Sequence, residues 1–94
     1  MPVRLLYHYK RIYDDGAIVE AKVWTLERPV AGSAHRHKYR LFYGFPGRRL
    51  VGYDNERGKG DHRHLGRREE TYLFVNLERL LDDFFTDVDA LRKP

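Results

Sequence analysis

The only stretch of this chain with helical periodicity lies near its C-terminal end, and the apolar patterns before it mostly alternate. Leu77, Leu80, Leu81, Phe84, Phe85, Val88 and Leu91 recur at spacings of three and four, the period of an amphipathic helix of about four turns. Asn76 is a good N-cap, Glu78 suits the positive end of the helix dipole, and Arg92 and Lys93 suit the negative end. Upstream, residues 3–13 and 17–26 are rich in Val, Ile, Tyr and Trp and flank Asp14-Asp15-Gly16, a hairpin signal because Asp-Gly tolerates the positive φ of a tight turn. In the second of these strands Val19, Ala21 and Val23 share one face, while Ile18, Glu20, Lys22, Trp24 and Leu26 share the other. Residues 29–33 read as a connecting loop, and 37–45 and 48–53 as a second hairpin around Pro46-Gly47. A short strand is expected over 71–75. The expectation is an α+β fold: an antiparallel sheet of about five strands with one C-terminal helix packed on one face. It spans 1–94 as a single domain, with the sheet within 3–75, a basic loop over 54–68 and the helix over 77–92. One helix covers one sheet face. The other face is therefore wet, functional or buried in a partner, and strand aromatics suit it to a ligand or partner.

Composition narrows the class. In 94 residues, 41% are apolar, enough for one modest core. No apolar run approaches the length of a membrane span, and MPVRLLYHYK holds no segment of signal-peptide length. The absence of cysteine removes disulfides, thiolate catalysis and cysteine-type zinc sites. The expected protein is soluble and cytoplasmic, with no membrane association. Its net charge of +4 is unevenly spread. Residues 35–68 carry ten basic and three acidic side chains and four of the five histidines, whereas 69–94 carry three basic and seven acidic. Such a concentrated cationic segment attracts a polyanion, nucleic acid above all.

From 54 to 68 the only apolar side chain is Leu65, and Gly58, Gly60 and Gly66 punctuate the run, so a flexible basic loop is expected. Within it, Tyr53 to His64 packs Asp54, Asn55, Glu56, Arg57, Lys59, Asp61, His62, Arg63 and His64 into twelve positions. Phosphodiester cleavage without a metal needs a base for the attacking 2′-hydroxyl, an acid for the leaving oxygen and cations on the phosphorane. His62 and His64 suit the first two roles, since histidine titrates near neutrality. Lys59 and Arg63 suit the third, with Arg57, Arg67, Asn55 and Asp54 as further substrate contacts. Asp61 or Glu56 can orient a histidine ring, and Gly58 and Gly60 can bring backbone N–H groups to a phosphate. The GxxxxGK[ST] spacing of a Walker loop is absent, and no cofactor is implied.

If extended, His62 and His64 point to the same side about 7 Å apart, and so do His35 and His37. Convergence of the four can hold a transition metal, but His-x-His alone lacks the third defined ligand of a zinc site, so no metal is assigned. Plainer readings stand beside these. The cations can grip phosphates without turnover, Asp54 and Asn55 can be turn-formers, and Glu20 and Lys22 can be an ion pair of little energetic value. The acidic residues of the helix need no chemistry.

The stretch from Ala17 to Val75, with Glu20-x-Lys22-x-Trp24 followed by YDNERGKGDHRH, resembles the TumE-like toxins of bacterial toxin–antitoxin pairs. The resemblance runs from Val3 to Leu91. It implies a small toxin neutralised by a co-encoded antitoxin of the helix-turn-helix repressor type, and carries over Glu20, Lys22, Asp54, Asn55, Lys59, Asp61, His62 and His64. Ribonuclease activity is an inference from the residues themselves. The leading reading is thus a toxin that cleaves RNA. The alternatives are a non-catalytic module binding nucleic acid or the ribosome, a nucleotidyl or phosphoryl transferase acting on RNA, and a homodimer or larger assembly burying the Trp24 face.

Overall fold

The computed structural model describes residues 3–56 and 58–93. Six strands, β1 (Arg4–Ile12), β2 (Ile18–Thr25), β3 (His37–Phe45), β4 (Arg48–Glu56), β5 (Gly60–Leu65) and β6 (Arg68–Thr71), precede one helix, α1 (Leu77–Arg92). The strands form a single sheet in sequence order, each antiparallel to the next. No helix among the described residues is long and apolar enough to cross a membrane.

The first hairpin turns where expected, with the Asp15 carboxylate accepting from the Ala17 N–H at 3.0 Å and Gly16 at a φ of 89°. The second turns at Gly47. The core is the face predicted from alternation. Val19, Ala21, Val23, Tyr39, Leu41, Tyr43, Val51 and Tyr53 are buried against Leu80, Phe84 and Val88 of α1. The Asn76 side chain caps α1 by accepting from the Arg79 N–H at 2.8 Å.

Two expectations are corrected. The stretch 54–68 is an element rather than a flexible loop: it comprises the end of β4, all of β5 and two tight turns. The sheet accordingly has six strands. The last strand is β6 over Arg68–Thr71, and residues 72–76 run on outside the ladder. The helix-facing side of β4 and β5 carries Asn55, Asp61 and Arg63 in place of apolar residues, which is why the composition reads as loop. These three polar groups are satisfied by hydrogen bonds, so they can be buried.

Polar clasps fix α1 to the sheet. Asp87 accepts from the Tyr53 hydroxyl and from Arg63, whose guanidinium approaches at 2.6 and 3.0 Å. Asp83 accepts from Tyr72 and Arg79. At the far end Arg92 donates to the Tyr43 hydroxyl at 2.8 Å and lies 3.6 Å from the Tyr13 ring centroid. Burial, reinforced by the hydrogen bond to Asp87, pushes the Tyr53 hydroxyl well above the usual tyrosine range, so it remains a donor. Asp87→Ala strips the acceptor from two partly buried donors and is expected to destabilise by about 1–3 kcal/mol. Asp82→Ala, at an exposed position, is expected within about 0.5 kcal/mol of wild type. Urea unfolding of both variants compares them, and equal midpoints would contradict the clasp.

Candidate functional site

The side chains with chemistry divide between the two faces by strand periodicity. Directly paired residues share a face, so the register defines two cross-strand rows on the side without the helix. One runs His8, Lys22, Arg40, Asp54, His62, Thr71 and the other Lys10, Glu20, Phe42, Gly52, His64, Glu69. Glu20 and Lys22 of β2, Asp54 of β4, and His62 and His64 of β5, all singled out from sequence, therefore stand on one surface.

His62 and His64 sit in a depression of about 160 Å³ with Arg49, Asp54, Glu56, Lys59 and Glu69. Their hydrogen bonds differ in kind. Arg49 donates to His64 Nδ1 at 3.0 Å. A guanidinium can only donate, so the proton of a neutral His64 lies on Nε2, which stands 3.7 Å from Asp54 Oδ1 and 3.8 Å from Glu69 Oε2. His62 Nε2 lies 2.6 Å from the Lys59 carbonyl oxygen. A carbonyl can only accept, which places the proton of a neutral His62 on Nε2 and leaves Nδ1 as the lone pair. That Nδ1 is buried and 3.4 Å from Glu69 Oε2, without the alignment of a hydrogen bond. Lys59 is mostly exposed in the β4–β5 turn, 3.6 Å from Glu56. On β2, Glu20 accepts from His8 at 2.9 Å, with Lys22 at 4.0 Å. The His8 bond, helped by Lys22 and Lys10, holds the Glu20 carboxyl below the usual range.

Three expected site residues lie on the other face. Asp61 was expected to orient a histidine of the His62–His64 pair. Its partners are instead Ser33 at 2.6 Å, Tyr39 at 2.7 Å and His35 at 2.7 Å, and the ring it orients is His35. Burial would raise the Asp61 carboxyl, but those hydrogen bonds outweigh it and hold the group below the usual range. Asn55 is fully buried and serves the backbone, accepting from the Tyr39 N–H and donating to the His37 carbonyl. Arg63 is committed to Asp87. The Gly58 N–H donates to the Ala31 carbonyl at 2.6 Å and the Lys59 N–H to Glu56, so the glycine-rich turn grips the 26–36 connection. A β-carbon on Gly32 would lie 2.8 Å from the Gly60 nitrogen, which shows how close the two backbones run. Arg67 is exposed in the β5–β6 turn, and Arg57 lies outside the described residues.

Nor do the four histidines converge. His35 and His37 lie beside one another on the helix side, with the His35 ring stacked 3.7 Å from Phe74. Among the described residues no group of three or more His, Asp or Glu is placed to hold a metal ion.

Arg49 and Glu69 are site residues that the sequence reading missed. The signal for Arg49 was Gly52, a glycine in a strand interior, which marks a close approach. A β-carbon there would stand 2.6 Å from Arg49 Cδ, so Arg49 crosses the bare strand at Gly52 to reach His64.

The family model for toxin TumE matches residues 3–92. This chain belongs to the TumE toxin family. It is therefore the toxin component of a toxin–antitoxin system, and an antitoxin partner follows in general. No significant match is found among the curated proteins or the solved structures. In this TumE toxin the Glu-x-Lys-x-Trp strand and the Asp-His-Arg-His strand are three strands apart in sheet order, and their open-face residues meet in the same two rows.

Two expected outcomes follow from this geometry. Gly52→Ala or Arg49→Met leaves the protein folded but removes the donor from His64 Nδ1, so ¹⁵N spectra show both His64 tautomers; an unchanged Nε2–H tautomer in both would show that Arg49 does not set it. The second concerns His37, whose ring is pushed below the usual range by burial and by the charges of His35 and Arg36. The unfolded ring takes up a proton near pH 6.5. The unfolded state then binds more protons than the native one below that pH, so stability falls as pH drops through 6.5. Urea midpoints between pH 7.5 and 5.5 should fall less steeply for His37→Gln than for wild type; parallel slopes would contradict this.

Proposed function

We infer that this TumE toxin inhibits growth by cleaving RNA without a metal, using His62 and His64 on the open face as its acid–base pair. The observation that carries the reading is their opposite hydrogen bonding beside Arg49, Asp54 and Lys59. In this reading His62 Nδ1 takes the proton of a ribose 2′-hydroxyl as its oxygen bonds to phosphorus. As the arriving phosphate draws Arg49 off Nδ1, His64 takes up a proton there and, as the imidazolium, gives its Nε2 proton to the departing 5′-oxygen as the P–O5′ bond breaks, leaving a 2′,3′-cyclic phosphate. Arg49 and Lys59 face the charge that builds on the phosphorane. Glu69, half exposed on β6, covers both rings at 3.4 and 3.8 Å, and an arriving phosphate displaces it. Arg63, Asn55 and Asp61 act as supports and do not touch substrate. The toxin works in the cytoplasm, where its RNA lies, and its antitoxin is of the helix-turn-helix repressor type.

The cover provided by Glu69 is also the observation that favours a second reading, in which the open face binds RNA without turnover. The two separate in one experiment. His62→Ala and His64→Ala, each confirmed folded by circular dichroism, are expected to abolish growth inhibition when expressed without antitoxin. Persistence of toxicity in both removes the acid–base mechanism and leaves binding.

A further inference from the structure

The open face continues well beyond the histidines. Three depressions lie side by side on it, of about 450, 260 and 160 Å³. The first and second share Arg40 and Phe42, and the second and third share Arg49 and Asp54. They therefore form one trough across the strands, from Trp24 and Lys22 on β2 to His62 and His64 on β5. Three strand steps span about 14 Å. Between Phe42 and His64 the row holds only Gly52, and the Arg49 side chain lies across it, so the floor there is a guanidinium.

The chemistry of the trough changes along its length. At the histidine end it is polar. At the β2 end it presents two half-buried aromatic side chains, Trp24 and Phe42, bordered by Lys10, Lys22 and Arg40. Arg40 is exposed, and neither it nor Lys10 takes part in the ion pairs among the described residues. Glu20, the carboxylate at this end, is matched by His8 and Lys22. Unpaired cations alternating with aromatic faces are what a single-stranded nucleic acid requires: phosphates meet the cations and unstacked bases lie on the rings. Bases inside a duplex are stacked on each other and cannot use such a surface.

We propose that the trough is a single-strand RNA subsite in which a base a few nucleotides from the cut stacks on Trp24 or Phe42 while Arg40 holds an intervening phosphate. The proposal rests on the ribonuclease reading of His62 and His64 and adds the form of the substrate and a binding site for it. A protein occupant such as the antitoxin is the competing outcome.

The chain's single tryptophan makes the test direct. Wild-type protein is titrated with a single-stranded 2′-O-methyl RNA octamer, which binds but lacks the free 2′-hydroxyl, and with a hairpin of matching composition. The octamer is expected to quench Trp24 emission and the hairpin to bind at least ten-fold more weakly. Trp24→Ala should weaken octamer binding about ten-fold or more, with Trp24→Phe retaining most of it. Arg40→Ala should reduce the slope of log K against log salt by about 0.7. Octamer binding with unchanged Trp24 emission and no loss in Trp24→Ala, or equal affinity for the hairpin, overturns the subsite. Cleavage of unmodified RNA by wild type in those same circumstances leaves the ribonuclease reading standing. Absence of octamer binding, with quenching by added antitoxin alone, assigns the face to protein and overturns the proposal.

Discussion

The arrangement of the open face depends on the pairing register of β4 with β5. A slip of one residue would turn every side chain of β5 to the other face, sending His62 and His64 toward the helix and Asp61 and Arg63 to the surface. What forbids the slip is polar rather than apolar. Asn55 is buried and closes the end of the ladder by serving the Tyr39 and His37 backbone. Asp61 ties β5 to Ser33, His35 and Tyr39, and Arg63 ties it to α1 through Asp87. A buried donor or acceptor left unpaired costs about 1–3 kcal/mol, and a slip would strand several at once. Directional partners therefore do for β5 what an apolar stripe does for β2.

That substitution also explains what the sequence discloses. The first hairpin, the core face of β2 and the helix are legible because apolar residues mark them at periods of two and near 3.6. The six-strand count is not legible, because between Asp54 and Arg68 the inward positions are Asn55, Asp61, Arg63 and a single apolar residue, Leu65, too little for a pattern of hydrophobicity to register. The same residues looked like substrate ligands, since polar groups concentrated in a basic stretch have the chemistry of a site. Period-two alternation sorts them once the strand is recognised: Asp54, His62 and His64 point outward, whereas Asn55, Asp61 and Arg63 point inward. Arg49 and Glu69 come from a different hairpin strand and an exposed edge strand, and no local spacing links them to the histidines.

The division of labour has a consequence for the toxin's chemistry. The inward groups are held by α1 and the 26–36 connection, so β5 is rigid where its histidines project. Glu20, Lys22 and the histidines are joined through Arg40 and Asp54 in one row and Phe42 and Gly52 in the other. The face that one helix leaves bare carries cations, aromatics and the His62–His64 pair together, and a ligand binding across the strands meets all of them.

The central claim is that this face cleaves RNA by attack of the 2′-hydroxyl between two histidines. Its most direct test is the chemistry of the ends produced when the purified full chain is incubated with a defined single-stranded RNA in EDTA. The account predicts a 2′,3′-cyclic phosphate on one fragment, a 5′-hydroxyl on the other, and an intact all-deoxy strand of the same sequence. Fragments bearing 5′-phosphate and 3′-hydroxyl ends, cleavage of the deoxy strand, or RNA cut only after a divalent metal is supplied would contradict it.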